Sequence, residues 1–251
     1  MSLIKINQLK KSVTGIMKDN KQIKDDVSVL IAGNSTINDK KVLIIGDSIG
    51  AGYGYNGGFA NLISEDFPHS EVRNASIVGS TISDANIYNQ ILKTYQGGYE
   101  PDIIIIDGGG NDLLQGKQLG GFNYDNYDST GYGEDFDRST VIGSLEHLFT
   151  VVQTFLPNAK CIFTNTYKIR PFDTLDDGTS MPAYSEQKTF WEKIEEVCLK
   201  YSVLYVDFYG SCNFNPANNA QYNLYMADFL HINEAGYRKL WPLLKKALLD
   251  S

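Results

Sequence analysis

The 251-residue sequence is poor in cysteine and has no long hydrophobic run. Its three cysteines (Cys161, Cys198 and Cys212) are an odd number without metal-like spacing, which predicts reduced thiols and argues against a disulfide framework or a metal site. No apolar stretch approaches the roughly 20 residues that a membrane-spanning helix needs. The N-terminus also lacks the apolar core of a signal peptide. We therefore expect no signal peptide and no membrane span.

Positive charge is also scarce, with 22 Lys and Arg residues against 30 Asp and Glu residues. The resulting formal net charge of -8 argues against a nucleic-acid partner, because such a partner needs a basic face. No Gly-Lys-Ser/Thr loop is present for binding phosphate. A G-x-G-x-x-G match at Gly52, Gly54 and Gly57 begins well beyond the end of the preceding predicted strand, at Gly46, so it does not fit a dinucleotide site. We expect no cofactor.

The first 30 residues carry a heptad pattern that distinguishes them from the rest of the chain. Its a and d positions are Ile6, Leu9, Val13, Ile16, Asn20, Ile23, Val27 and Leu30. The pattern predicts a helix over residues 1–31 that joins two or three copies of the chain through residues 6–30, followed by a linker (32–40) and one domain (41–251). An amphipathic helix folded back onto its own domain is the alternative interpretation.

Strand-like and helix-like segments alternate in the remaining sequence. The strand-like segments are 41–46, 71–77, 101–108, 159–166 and 202–207. Helical patterns separate them, among them 139–156, 185–200 with Ser185 as N-cap, and a last helix after Asn233 that Pro242 is expected to kink or end early. The alternation predicts an α/β fold with a five-stranded parallel sheet covered on both faces. Functional groups should then follow the carboxyl ends of the strands.

Ser48 follows the first predicted strand directly and is the centre of a G-x-S-x-G match. A serine becomes a nucleophile near neutral pH only beside a base. Of the three histidines, His231 alone is expected at the same edge of the sheet, in the loop before the last helix. His69 connects a helix to the next strand, and His147 is expected to face solvent from its helix. Asp228 is spaced to bond the His231 imidazole and select the tautomer that a general base needs.

An ester-cleaving serine also needs hydrogen-bond donors for the oxyanion that develops during attack. Two residues that follow other predicted strands could supply them. Gly79, just past the second strand, has a backbone N–H that a substrate can approach closely, and Asn111, past the third, has a side-chain amide. An ordinary turn glycine and a helix-capping asparagine are the alternative interpretations.

In this chain order, G-D-S (46–48), Gly79, G-x-N-D (109–112) and D-x-x-H (228–231) resemble the four sequence blocks of the SGNH, or GDSL, hydrolase family. The resemblance implies a flavodoxin-like three-layer sandwich with Ser48 as nucleophile, His231 as general base and Asp228 as its orienting acid. It also implies an oxyanion hole made by the backbone N–H groups of Ser48 and Gly79 and the side chain of Asn111.

An α/β-hydrolase elbow also reads G-x-S-x-G, but its serine follows several strands and its acid and histidine lie on separate loops. Here the serine follows the first strand, and Asp228 and His231 share one loop, which argues against that fold. Asp107, directly before the third block, is an additional acid to which the resemblance assigns no role.

Two long segments that flank the predicted site, 121–137 and 208–228, are rich in Tyr, Phe, Asn and Asp. Aromatic faces stack on sugar rings, and amides and carboxylates bond hydroxyl groups. The composition therefore favours a serine esterase that removes small acyl groups, above all acetyl, from a carbohydrate. The individual substrate-binding residues stay unassigned.

Two alternatives remain open at this stage. One is a lysophospholipase- or thioesterase-type hydrolase of lipid acyl groups, to which the family resemblance also extends. The other is a stalk-displayed glycan-binding module of a phage-tail or cell-surface type. The predicted location is accordingly the cytoplasm or a phage particle.

Overall fold

The computed structural model of the protein describes residues 37–122, 136–174, 178 and 180–251. The predicted N-terminal helix (1–31) lies outside these residues. Among the described residues, none of the helices has the length and apolar character required to cross a bilayer.

A five-stranded sheet with every strand pair parallel forms the centre of the domain, and it confirms the predicted fold class. Its strands are β1 (Lys41–Gly46), β2 (Glu71–Asn74), β3 (Ile103–Asp107), β4 (Lys160–Thr164) and β5 (Leu204–Val206). They are arranged in the order β2-β1-β3-β4-β5. The chain therefore leaves β1 for β2 on one side and later returns to β3 on the other. The loops after β1 and β3 diverge at this switch point, where α/β sheets form their ligand crevices.

Helices cover both faces of the sheet. Those longer than one turn are α2 (Gly58–Asp66), α3 (Asn86–Gln96), α5 (Val141–Phe155), α6 (Tyr184–Lys200), α8 (Asn219–Tyr225) and α9 (Glu234–Leu249). Short helices follow β1, β3 and β5: α1 (Ser48–Ala51), α4 (Gly110–Leu114) and α7 (Phe208–Ser211).

The side chains of β1 and β3 alternate between two hydrophobic clusters, because successive residues of a strand point to opposite faces. Val42 and Ile44 pack with α2 and α9, whereas Leu43 and Ile45 pack with α3, α5 and α6. All four side chains are fully buried. Burial on both faces explains why these strands read as unbroken aliphatic runs in the sequence.

Two helix boundaries differ from the sequence prediction. Helix α6 begins at Tyr184, and its N-cap is Ala183, whose backbone N–H donates to the Glu186 carboxylate at 2.7 Å; the predicted Ser185 cap is wrong. Helix α9 begins after Asn233, as predicted, but continues through Pro242 to Leu249. A proline inside a helix costs about 3 kcal/mol. Burial of residues on both sides of it, including Leu240 and Leu244, offsets that cost. Of the two effects predicted for Pro242, a kink or an early end, the early end is therefore wrong.

Residues 37–40, the described part of the predicted linker, form a turn that packs on the domain. Ile37 is 1% exposed and joins the cluster between the sheet and α9. Its carbonyl oxygen accepts hydrogen bonds from the Lys40 N–H at 3.1 Å and the Ser70 hydroxyl at 2.8 Å. The ordered packing of the domain therefore already includes Ile37.

Candidate active site

The turn after β1 presents Ser48 at the carboxyl edge of the sheet. β1 ends at Gly46, where an added Cβ would collide with the backbone of Asp107 on β3, so only glycine allows the two strands to approach this closely. Asp47 caps α1 by accepting the Ile49 N–H at 2.9 Å. Ser48 is the first residue of that helix and is 7% exposed.

Ser48, His231 and Asp228 form one chain of hydrogen bonds. The Ser48 Oγ lies 3.0 Å from the His231 Nε2, and the His231 Nδ1 lies 2.9 Å from the Asp228 Oδ2. These distances are those of a nucleophile, a base and an orienting carboxylate. The structure therefore brings together the three residues to which the sequence assigns those roles.

The loop between α8 and α9 holds Asp228 and His231 in place through backbone contacts. The Asp228 Oδ1 accepts the N–H groups of Leu230 at 2.7 Å and His231 at 2.6 Å, which leaves Oδ2 for the imidazole. Burial alone would raise the pKa of Asp228, but the hydrogen bonds from His231 and Leu230 together lower it. Asp228 is therefore an ionised acceptor at neutral pH, which favours a proton on Nδ1 and a free lone pair on Nε2.

The glycine-rich segment 52–57 packs against this histidine. The Tyr53 ring lies 4.1 Å from the His231 ring and is 49% exposed. Gly54 has a φ of +85° and touches the carbonyl oxygen of Ile232 so closely that a Cβ would collide with it. Gly54 therefore allows the loop to pack closely on the histidine turn, whereas Gly52 and Gly57, with φ of +85° and +83°, lie against residues 55–58 and the Asn61 side chain. Close packing accounts for these glycines without a bound phosphate.

Asn111 lies on α4, next to Ser48 in the wall of one pocket. Its Nδ2 donates to the Ser80 carbonyl oxygen at 3.0 Å and, at 3.4 Å, to the Asp47 Oδ2. The adjacent residue Asp112 accepts the N–H groups of Ile82 and Ser83 at 2.8 and 2.9 Å. Helix α4 is thereby tied to the turn after β2.

Gly79 lies on that turn, one residue before Ser80. Its φ is +80°, which favours glycine, and an added Cβ would meet nothing within 4 Å. Its backbone therefore borders open space at the carboxyl edge of the sheet, where Ser48 also lies. Among the described residues, Gly79 is not part of the wall of the pocket that contains Ser48.

The pocket beside Ser48 is small and largely apolar. It has a volume of about 20 Å³, which is room for about one water-sized group. Its wall consists of Asp47, Ser48, Ile49, Gly110, Asn111, Leu114, Thr166, Ile169 and Leu230. The apolar members Ile49, Leu114, Ile169 and Leu230 were not singled out from the sequence, because each belongs to a different loop or helix.

The other two histidines lie away from this pocket. His69 is exposed in the turn before β2, at the opposite edge of the sheet, where the sequence places it. His147 was expected to face solvent, but it is half-buried with its ring 4.9 Å from that of Tyr88. Burial lowers its pKa.

The aromatic segments that suggested sugar binding have a mixed outcome. Residues 123–135 of the first segment lie outside the described residues. In the second, Phe208 and Phe214 are 0% and 3% exposed and belong to the core. Two exposed rings that belong to neither segment are Tyr53, which lies against His231, and Phe172, three residues after Ile169 of the pocket wall.

Comparisons with known proteins identify the family and the fold. The profile of the GDSL-like Lipase/Acylhydrolase family matches residues 44–239. Among curated proteins, none matches this sequence. A solved structure of a Lactobacillus plantarum protein is 26% identical, with a TM-score of 0.67, and the match covers 84% of this chain and 97% of that one.

Two solved esterases share the fold at lower identity. The psychrotrophic esterase EstA from a Pseudoalteromonas species is 22% identical, with a TM-score of 0.56 and coverage of 85% of this chain and 100% of that one. The acetyl xylan esterase AlAXEase is 20% identical, with a TM-score of 0.58 and coverage of 82% and 98%.

Proposed function

Because this chain belongs to the GDSL-like lipase/acylhydrolase family, and is accordingly a carboxylic ester hydrolase, we propose that it cleaves its ester through Ser48, His231 and Asp228. The observation that carries the proposal is the hydrogen-bonded chain from the Ser48 Oγ to His231 (3.0 Å) and from His231 to Asp228 (2.9 Å).

In the proposed first half-reaction, the His231 Nε2 takes the Ser48 proton while Oγ attacks the ester carbonyl. The resulting imidazolium is stabilised by Asp228 and returns the proton to the leaving alkoxide as the acyl–oxygen bond breaks. In the second half-reaction, water loses a proton to the same nitrogen and attacks the acyl-serine. The carboxylic acid is then released, and Ser48 regains its proton.

The backbone N–H groups of Ser48 and Gly79 and the Asn111 amide are the proposed donors to the oxyanion. In the free enzyme, one Asn111 N–H is engaged by Ser80 at 3.0 Å, whereas the contact with Asp47 is long, at 3.4 Å. Because hydrogen bonds weaken with distance, the N–H that faces Asp47 can turn to an oxyanion with little loss of hydrogen-bond energy. Each such donor contributes about 10²–10³ in rate.

The size of the pocket supports a small acyl group. A space for about one water-sized group accommodates the methyl of an acetyl ester. Its apolar wall suits a methyl, and each further methylene would have to displace packed side chains such as Leu114 and Ile169. We therefore propose acetyl as the preferred acyl group.

The alcohol side of the substrate is proposed to be a carbohydrate. The exposed ring of Tyr53 lies against His231, and the exposed ring of Phe172 follows three residues after Ile169 of the pocket wall. Exposed aromatic faces of this kind stack on sugar rings. The acetyl xylan esterase of the same fold carries its activity on such a substrate class.

An acyl-chain series on p-nitrophenyl acetate, butyrate and octanoate tests the acyl preference. We expect kcat/KM to fall by at least about tenfold from acetate to octanoate, because overfilling a small apolar pocket costs 1–3 kcal/mol. Acetate release from O-acetylated xylan, compared between wild type and Phe172→Ala, then tests the sugar. Faster cleavage of octanoate than acetate would contradict the acetyl proposal and favour a lipid acyl hydrolase.

We also propose that residues 6–30 join two or three copies of the chain in a coiled coil. The heptad pattern is the support for this part. A helix that instead packs on its own domain would leave a monomer.

Analytical ultracentrifugation of matched variants tests the coiled coil. Ile16→Asp places a charge at a d position and should dissociate the oligomer, whereas Lys18→Asp, outside the seam, should leave it intact. Deletion of residues 1–35 should give a monomer that keeps its esterase activity. An oligomer that survives this deletion would refute the proposal.

A further inference from the structure

Two carboxyl groups that the proposed reaction does not use lie buried beneath Ser48. Asp47, the residue before the serine, is 5% exposed, and Asp107, at the end of β3, is 3% exposed. The two side chains are neighbours, because Gly46, the residue before Asp47, pairs with Asp107 in the sheet, and the two carboxyl groups accept the N–H groups of the successive residues Ile49 and Gly50. Neighbouring carboxyl groups can hydrogen-bond to each other only if one of them carries a proton.

The two carboxyl groups accept hydrogen bonds from the backbone that follows the nucleophile. The Asp47 Oδ1 accepts the Ile49 N–H at 2.9 Å, and the Asp107 Oδ2 accepts the Gly50 N–H at 2.8 Å. The Thr164 hydroxyl on β4 donates to the Asp107 Oδ1 at 3.1 Å. The two peptide groups after Ser48 are therefore held by one carboxyl each, which limits the motion of the serine relative to His231.

One member of the pair, Asp47, also contacts the proposed oxyanion donor Asn111. The Asp47 Oδ2 is the long contact of the Asn111 amide, at 3.4 Å. While Asp47 is neutral, this contact is weak and the N–H can turn to an oxyanion. An ionised Asp47 would hold the N–H more strongly and would place a negative charge beside the developing oxyanion.

The surroundings of the pair disfavour a second negative charge. Burial raises the pKa of Asp47 well above its usual value, and the charge of Asp107 raises it further. Burial also raises the pKa of Asp107, to about 6. Within the part of the chain that the structure describes, the other titratable groups that face the pair are the Asp112 carboxyl and the phenols of Tyr167 and Tyr237, none of them cationic. His231 and Asp228 lie beyond Ser48.

We propose that Asp47 and Asp107 share one proton in the active enzyme and act as positioning residues, holding Ser48 and leaving Asn111 free to bind the oxyanion. This inference rests on the proposed roles of Ser48 and Asn111. Loss of the shared proton at alkaline pH would pull the Asn111 amide away and inactivate the enzyme.

The pH dependence of kcat for phenyl acetate tests the proposal, with Ser48→Ala as the blank. Wild type should lose about tenfold in kcat per pH unit once the shared proton is lost. Asp47→Asn donates an amide N–H to Asp107 in place of the O–H. Its kcat should therefore stay constant through the alkaline range, relative to the value of the same variant at neutral pH. Asp84→Asn, an exposed acid paired with Lys117, should retain the alkaline loss.

Infrared spectroscopy at neutral pH gives a readout that does not depend on activity. Wild type should show the C=O band of a buried carboxylic acid, and Asp47→Asn should lack it. Thermal unfolding provides a second one. A carboxyl pKa that folding raises makes the folded state bind more protons, so wild-type stability should fall with rising pH relative to Asp47→Asn.

Each outcome decides a separate point. An alkaline loss that persists in Asp47→Asn, or a wild-type spectrum without the acid band, would overturn the shared proton. Absence of ester hydrolysis by wild type would instead refute the proposed function, while the infrared band would still report on the pair.

Discussion

Ser48→Ala is expected to lower kcat/KM for p-nitrophenyl acetate by about 10⁴–10⁶, the loss found when a triad nucleophile is removed. The physical reason is that alanine removes the Oγ that lies 3.0 Å from the Nε2 of His231, the proposed base. Alanine occupies the first position of α1 without strain, so the variant should fold. Initial rates corrected for spontaneous hydrolysis measure the effect, and the unfolding temperature checks the fold.

A serine on the neighbouring turn provides the matched control. The Ser76 hydroxyl is buried against Gly50, and within the described residues it has no hydrogen-bond partner. Ser76→Ala should therefore keep full activity. If Ser48→Ala also kept full activity, the nucleophile would lie elsewhere and the proposed mechanism would be wrong. A wild-type protein that binds glycan but cleaves no ester would favour the binding-module alternative.

Asp228→Asn is expected to lower kcat by about 10⁴, the loss seen when the orienting acid of a triad becomes an amide. Asparagine can still accept the Leu230 and His231 N–H groups through its oxygen, so the loop should keep its shape. Its NH₂ group, however, would face the His231 Nδ1. The imidazole would then carry its proton on Nε2, where it cannot accept the proton of Ser48.

A ¹⁵N spectrum of the imidazole distinguishes this cause from a general disruption. Wild type should carry its proton on Nδ1 and Asp228→Asn on Nε2, with unchanged unfolding temperatures. Asp250→Asn, at the end of α9, serves as the charge-matched control. A loss of kcat of only about tenfold or less would be far smaller than the loss expected for a triad acid. Such a result would remove Asp228 from the mechanism.

The sequence predicted the number and order of the strands along the chain better than the residues at which they end. The second strand was expected over 71–77 but stops at Asn74. The Asn74 side chain donates to the Gly50 carbonyl oxygen at 2.7 Å and accepts the Ser76 N–H at 3.1 Å. The regular strand ends there, although the N–H groups of Ala75 and Ile77 still donate to the carbonyl oxygens of Ile44 and Gly46 on β1, at 2.8 and 3.0 Å. Such side-chain contacts with a distant loop leave no periodic signal in the sequence.

Exposure was the least predictable property, for a related reason. His147 was expected in solvent and lies against Tyr88. The segment 208–228 was expected to favour sugar binding, but two of its aromatic residues, Phe208 and Phe214, lie in the core. Local periodicity indicates which residues share a face of one element. It does not indicate what a loop or a second helix places over that face.

The sequence by itself determined the alternation of strands and helices, the burial of the aliphatic strands on both faces and the chain order of the four blocks. Each follows from local periodicity or from residue type. Only the tertiary structure decided that Ser48 meets a histidine 183 residues away and that the buried acids Asp47 and Asp107 are neighbours beneath it. Parallel strands bring their carboxyl ends to one edge, so the distances between side chains there depend on how β1, β3 and the last loop pack together.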